Sequence, residues 1–150
     1  MTSGLDSTCE FDADDVHLRL DVTVAGSREA IPGIVERIMA LVREAGCAEG
    51  HEFEIELALN EAIANAVVHG CGGDPGKRIR VCVACQAERG MLISVRDPGE
   101  GFDPAALPSP IVGERIYESH GRGIFLIRRL MDEVSFERGG TEIRMRKKPR

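Results

Sequence analysis

No apolar run in this 150-residue chain approaches the ~18 residues that a membrane-spanning helix needs. A helical membrane span is therefore excluded. The N-terminus also lacks the basic-then-apolar order of a secretory signal, so the cytoplasm is the default expectation. Five cysteines (Cys9, Cys47, Cys71, Cys82, Cys85) make an odd set without a disulfide-scaffold rhythm. Cys82 and Cys85 form a CxxC, but within an apparent strand, where residues three apart point to opposite faces. Two reduced, buried thiols are expected there, not zinc or a redox pair. GxxxxGK[ST] does not occur, nor does a strand-GxGxxG-helix unit, which excludes the P-loop and the Rossmann turn. Repeats and internal linkers are missing too. Positive charge is short: the net charge of −6 argues against broad contact with nucleic acid or an anionic membrane. The basic cluster Arg144–Arg150 reads as solvated charge.

What is present is ordinary globular material, 43% hydrophobic and 29% charged, long enough for one sizeable core. Residues 1–15 are acidic and aperiodic and read as a flexible tail; 16–150 form the domain. Val16, Leu18, Leu20, Val22 and Val24 alternate as a strand does. Ser27 is placed to cap a helix over about Arg28–Ala45, with Pro32 near its start and Gly46 at its end. A second helix covers about Glu52–Val68 and stops at Gly70, followed by the turn 71–76. Arg78–Ala84 and Met91–Arg96 read as strands joined near Glu88-Arg89-Gly90. A Gly- and Pro-rich loop follows, then a helix over Ile124–Met131 and a last hairpin, Val134–Glu137 and Glu142–Arg146, through Gly139-Gly140. This order predicts an α+β fold, a two-layer sandwich with helices on one face of a mostly antiparallel sheet. It leaves the loop between Gly99 and Gly121 free to act as a lid.

Three local patterns carry chemistry. Glu61, Asn65 and His69 lie four residues apart on a helix that is otherwise apolar through Ile55, Leu59, Ala62 and Ala66, so they share one face. An oxygen of Asn65 suits a hard divalent cation such as Mg²⁺, which takes few protein ligands. Glu61, one turn away, could take a proton from an attacking hydroxyl or water. Next, Asp97 ends a strand and precedes Gly99 and Gly101. Its carboxylate can accept a hydrogen bond from an exocyclic amine such as that of adenine, while the glycines let a ring approach the backbone. Last, His120-Gly121-Arg122-Gly123-Ile124 leads into a helix, whose first N–H groups and dipole favour an anion.

In order and separation the three patterns resemble the N box and the two glycine boxes of the GHKL ATPase superfamily. The resemblance is to its bacterial anti-sigma-factor serine kinases and their single-domain relatives. It covers roughly Glu52–Arg146 and rests mainly on 60–70 (NEAIANAVVHG) and 121–127 (GRGIFLI), extended by 128–134 (RRLMDEV). It implies a Bergerat-type sandwich with a mixed, mostly antiparallel sheet and a mobile ATP lid. It also implies ATP and Mg²⁺ as cofactors, with Glu61 as general base, Asn65 as metal ligand and Asp97 reading adenine. Gly99, Gly101, Gly121 and Gly123 would shape the phosphate-facing loops, and Thr141 would support adenine through its hydroxyl. Phe102, Arg122, Ile124 and His69 are softer candidates for the lining. The lid, about Pro104–His120, has one arginine, Arg115, read as solvated.

The relatives phosphorylate a Ser or Thr on a small anti-anti-sigma protein of STAS type and sequester a sigma factor. The implied partners are these, with no direct nucleic acid and no membrane. A homodimer through the edge of the first strand stays open. The resemblance implies a protein serine/threonine kinase; the alternatives are a nucleotide-gated binding module that needs no base and an apo protein-interaction domain without ATP, which Asp97 and both glycine pairs argue against.

Overall fold

The computed structural model describes residues 16–72, 74–86, 88–101 and 119–149. The expected tail, most of the lid, Phe102 and Arg115 lie outside them. The elements run β1 (Val16–Ala25), α1 (Ile31–Ala45), α2 (Glu52–Asn65), β2 (Arg78–Gln86), β3 (Gly90–Arg96), α3 (Ser119–Leu130), β4 (Glu133–Glu137) and β5 (Glu142–Lys147). The strands form one sheet in the order β1-β2-β3-β5-β4, and every described neighbouring pair is antiparallel. No helix among the described residues is long and apolar enough to cross a membrane.

One sheet face carries the core, because strand alternation sends Ile79, Val81 and Val83 of β2 inward with Met91, Ile93 and Val95 of β3 and Ile143 and Met145 of β5. The helices cover that face through Val35, Ile38, Met39 and Val42 of α1 and Ile127 of α3. Between them α2 buries Ile55, Ala58, Leu59, Ala62 and Ile63, a wider band than the predicted stripe. It is the central helix, so few positions are left for polar groups. The α+β sandwich with helices on one face is thus the observed architecture.

Two local expectations are corrected. Ser27 does not cap α1: its hydroxyl donates to Glu29 Oε1 at 2.7 Å. A 3₁₀ turn, Arg28–Ala30, precedes the helix, and Pro32 in the first turn has no N–H to satisfy. The helix end is as expected, with Gly46 in the left-handed region at φ 72°. The basic C-terminal cluster is not loose charge either. Arg146 Nε donates to the Arg89 carbonyl at 3.0 Å and Lys147 Nζ to the Leu130 carbonyl at 2.6 Å, because most of that cluster is strand β5.

The cysteine expectation also fails. Cys47 and Cys85 form a disulfide, with Cα atoms 6.0 Å apart, and Cys82 is disulfide-bonded as well. Strand alternation explains why Cys82 and Cys85 do not pair with each other. Cys85 shares the inward face of Val81 and Val83, where it meets the residue after the α1 cap. Cys71 alone among the described cysteines is free, and it is buried.

Candidate functional site

Where α2 ends, the backbone widens. Residues Ala66–Gly70 form a π-helical turn, with the Cys71 N–H bonded to the Ala66 carbonyl at 2.9 Å. Such turns are frequent at functional positions. Here the turn brings His69 and Gly70 against the end of β3, where Asp97 stands. A Cβ on Gly70 would overlap the Asp97 carboxylate. Gly70→Ala is therefore expected to cost about 1–3 kcal/mol of stability through overpacking, read as a lower thermal midpoint.

Asp97 is half-buried, and burial raises its pKa above the ordinary carboxylate value. The Gly99 N–H and His69 oppose the shift. The Gly99 N–H donates to Asp97 Oδ1 at 2.8 Å, so one carboxylate oxygen is anchored. The backbone N–H of Asp97 is held by the Thr141 carbonyl at 2.9 Å, which ties the end of β3 to the start of β5. The Thr141 hydroxyl donates to the Arg138 carbonyl at 2.8 Å and keeps its acceptor capacity. Gly101, at φ 81°, packs against this turn so closely that a Cβ would overlap the Gly139 carbonyl oxygen.

These groups line a slot of about 70 Å³, formed by Asn65, His69, Gly70, Asp97, Gly101, Gly140 and Thr141 with apolar walls of Ala62, Ala66, Val95, Ile124, Phe136 and Ile143. Asn65 and His69 also line a second cavity of about 460 Å³ with Arg28, Glu61, Gly123 and the apolar Ala64, Val68, Phe125 and Leu126. Gly123 touches the α2 face directly: a Cβ there would lie 3.0 Å from Glu61 Oε2 and 3.2 Å from Asn65 Nδ2. Burial lowers the pKa of His69, against the pull of Asp97, so the imidazole is neutral near pH 7.

The predicted residues therefore divide. Asn65, His69, Asp97, Gly101, Ile124 and Thr141 meet at the slot, and Glu61 and Gly123 at the adjoining cavity. Gly99 lies beneath, against Gly70. Gly121 and Arg122 fall in the first turn of α3, with the Arg122 side chain outside the described residues. Sequence reasoning missed Gly70, Phe136, Ile143 and Arg28 as lining residues. Ile143 was legible two positions after Thr141 on a strand, since both share one face. Arg28 sits three positions after a strand end and bore no signal. No group of three or more His, Cys, Asp or Glu side chains suited to a metal exists among the described residues; a cation held by one amide and a ligand's oxygens needs none.

Fold and cleft define a histidine kinase-like class of ATPase domain. Residues 24–147 match the family model described as the histidine kinase-like ATPase domain, and the chain belongs to that family. It is similar to an anti-sigma F factor of Heyndrickxia coagulans, 31% identical over 98 residues, which covers 61% of this chain and 66% of that protein. An anti-sigma F factor of Bacillus cytotoxicus is 32% identical over 100 residues, covering 63% of this chain and 67% of its own. The matched stretch thus spans about two thirds of these relatives' length. A crystal structure of the RsbU and RsbW domains of Rv1364c from Mycobacterium tuberculosis shares the fold over 89% of this chain, with a TM-score of 0.60 and 18% identity. This chain spans 32% of that longer one.

Proposed function

We propose that this chain is an ATP- and Mg²⁺-dependent protein serine/threonine kinase acting as an anti-sigma-factor-type regulator. Its acceptor would be a small anti-anti-sigma protein of STAS type, and its other partner a sigma factor, both in the cytoplasm. One observation carries the reading. The strand-end carboxylate, Asp97, and the helix-borne pair Glu61 and Asn65 border two cavities that share Asn65 and His69.

The residues present fit a nucleotide and its metal. Asp97 offers a half-buried acceptor beside a small cavity with apolar walls, which suits a purine edge. The amide of Asn65 stands on the common wall, where its oxygen would hold Mg²⁺. Gly123 leaves room beside both Glu61 and Asn65 that a side chain would fill. ATP would supply the transferable phosphoryl group, and positioning with charge neutralisation supplies most of the catalysis in such transfers. Glu61 would accept the proton of the incoming hydroxyl. His69, neutral, is a hydrogen-bonding wall and not a counter-charge. The Cys47–Cys85 bridge lies at the opposite end of the sheet, since Cys85 pairs with Met91 while the site adjoins the Arg80–Arg96 pair. Its redox state does not enter the mechanism.

Incubation with labelled ATP, Mg²⁺ and a candidate antagonist tests this. Wild type is expected to transfer phosphate. Glu61→Gln should retain nucleotide while transfer falls by about 100-fold or more. Transfer that survives in Glu61→Gln would refute the base assignment. Wild type that binds ATP yet modifies no antagonist would make the protein a nucleotide-gated binding module instead.

A further inference from the structure

The 460 Å³ cavity contains one side chain that neither the motif pattern nor the proposed mechanism uses: Arg28. It lies in the 3₁₀ turn ahead of α1 and lines the same cavity as Glu61, Asn65 and Gly123. Among the described residues it has no hydrogen-bond or ion-pair partner. Its sequence neighbour Glu29 is turned to the Ser27 hydroxyl at 2.7 Å. Glu61, which shares the cavity, is not within ion-pair distance of it. The guanidinium is thus exposed and always charged, and although, after the Ser27 hydrogen bond, its charge helps to lower the pKa of Glu29, no described group bonds it.

The rest of the described lining offers an anion no positive charge, so Arg28 is its one electrostatic partner there and also offsets Glu61. Asn65 is neutral, His69 has its pKa lowered by burial, and Glu61 is an acid. Arg28 is the one permanent cation among the described side chains of that cavity. Asp97 and Thr141 stand at the neighbouring slot, so a nucleotide with its base there runs its phosphates past Asn65 toward this cavity.

We infer that Arg28 is a specificity-determining residue that binds the terminal phosphate of a nucleoside triphosphate and so separates the triphosphate from the diphosphate. The inference rests on the proposed nucleotide-binding reading and adds to it which phosphate is recognised, and from which element. A fork of N–H donors suits a phosphate's oxygens. The 3₁₀ turn that displaced Ser27 from the cap position is what brings this side chain to the cavity.

Calorimetric titration of wild type, Arg28→Ala and Arg28→Lys with Mg·ATP and Mg·ADP tests it. Arg28→Ala is expected to lose about tenfold in ATP affinity while ADP affinity stays within about twofold, and Arg28→Lys to keep part of the difference. Equal weakening of both nucleotides, or no change in either, overturns the inference and leaves the nucleotide site standing; the second result would leave Arg28 as a contact for a protein partner. Wild type that binds neither nucleotide removes the underlying reading and the inference with it. The side chain is exposed and unpartnered, so the variants are expected to fold, and a circular-dichroism melt checks that they do.

Discussion

Asp97→Asn is expected to lose ATP binding by about 100-fold or more and to leave the free protein at least as stable. The first half follows from counting donors and acceptors. In wild type one carboxylate oxygen takes the Gly99 N–H at 2.8 Å, and the other is left for an incoming amine. Asparagine has a single acceptor oxygen, and Gly99 claims it. The amide NH₂ then faces the exocyclic amine of adenine, donor against donor.

The second half comes from the sign of the pKa shift. Burial raises Asp97 above the ordinary carboxylate value, so the folded state prefers the protonated acid. The ionised form costs stability at neutral pH. That cost grows as pH rises from the unfolded value through the folded one, and it is absent in acid. Asparagine never ionises. The midpoint of Asp97→Asn should exceed wild type by about 1–3 °C near neutrality, with the gap closing toward about pH 4. Thermal melts across that range read it. Nucleotide affinity of wild type should fall in acid at a higher pH than a free aspartate would dictate. A destabilised Asp97→Asn would mean that the carboxylate holds the turn together and is not a strained functional group.

Much of this site was legible in the chain because helical spacing fixes which residues share a face. Glu61 and Asn65 needed only the 3.6-residue period, and Asp97 only the end of an apolar strand; His69 reaches the site through the wider turn. The α+β order followed from the alternation of β1 and the apolar spacing of α1. What escaped was non-local or depended on a break in regularity. The π turn at Ala66–Gly70 shifts the helix register by one residue, which no propensity marks. The Cys47–Cys85 pair joins residues 38 apart in sequence, and strand alternation says only which face Cys85 takes, not what waits there. Arg28 depended on a short turn displacing a cap. β5 was expected only as the last strand of a hairpin, and the consequence of its alternation for the outer face went unread.

That other face predicts a large effect at Glu142. Ile143 and Met145 point into the core, so Glu142 and Arg144 must point away from it, yet Glu142 is fully buried. It accepts hydrogen bonds from the Ser94 hydroxyl at 2.6 Å, from Arg138 Nε at 3.0 Å and from Arg144 Nε at 3.4 Å. Arg96 is near enough that Arg138 and Arg80 push its pKa down, after burial itself, while Glu142 and Asp21 hold it up. One acid therefore keeps several arginines together on the outer face of the sheet. Removing one member of a buried charge network leaves the others uncompensated, a loss of about 3–5 kcal/mol. Arg138 is 42% exposed, so water screens part of it and the low end is expected, about 3 kcal/mol. Glu142→Ala should lower the melting midpoint by about 10 °C, and Glu142→Gln, which keeps the Ser94 bond, by less. The effect should reach the site. Arg138 begins the turn that carries Gly139, Gly140 and Thr141, and Thr141 holds the Asp97 N–H. Nucleotide affinity of Glu142→Gln, measured well below its own midpoint, should therefore fall although the residue touches no part of the slot. Unchanged affinity would show that the Thr141 bond alone positions Asp97.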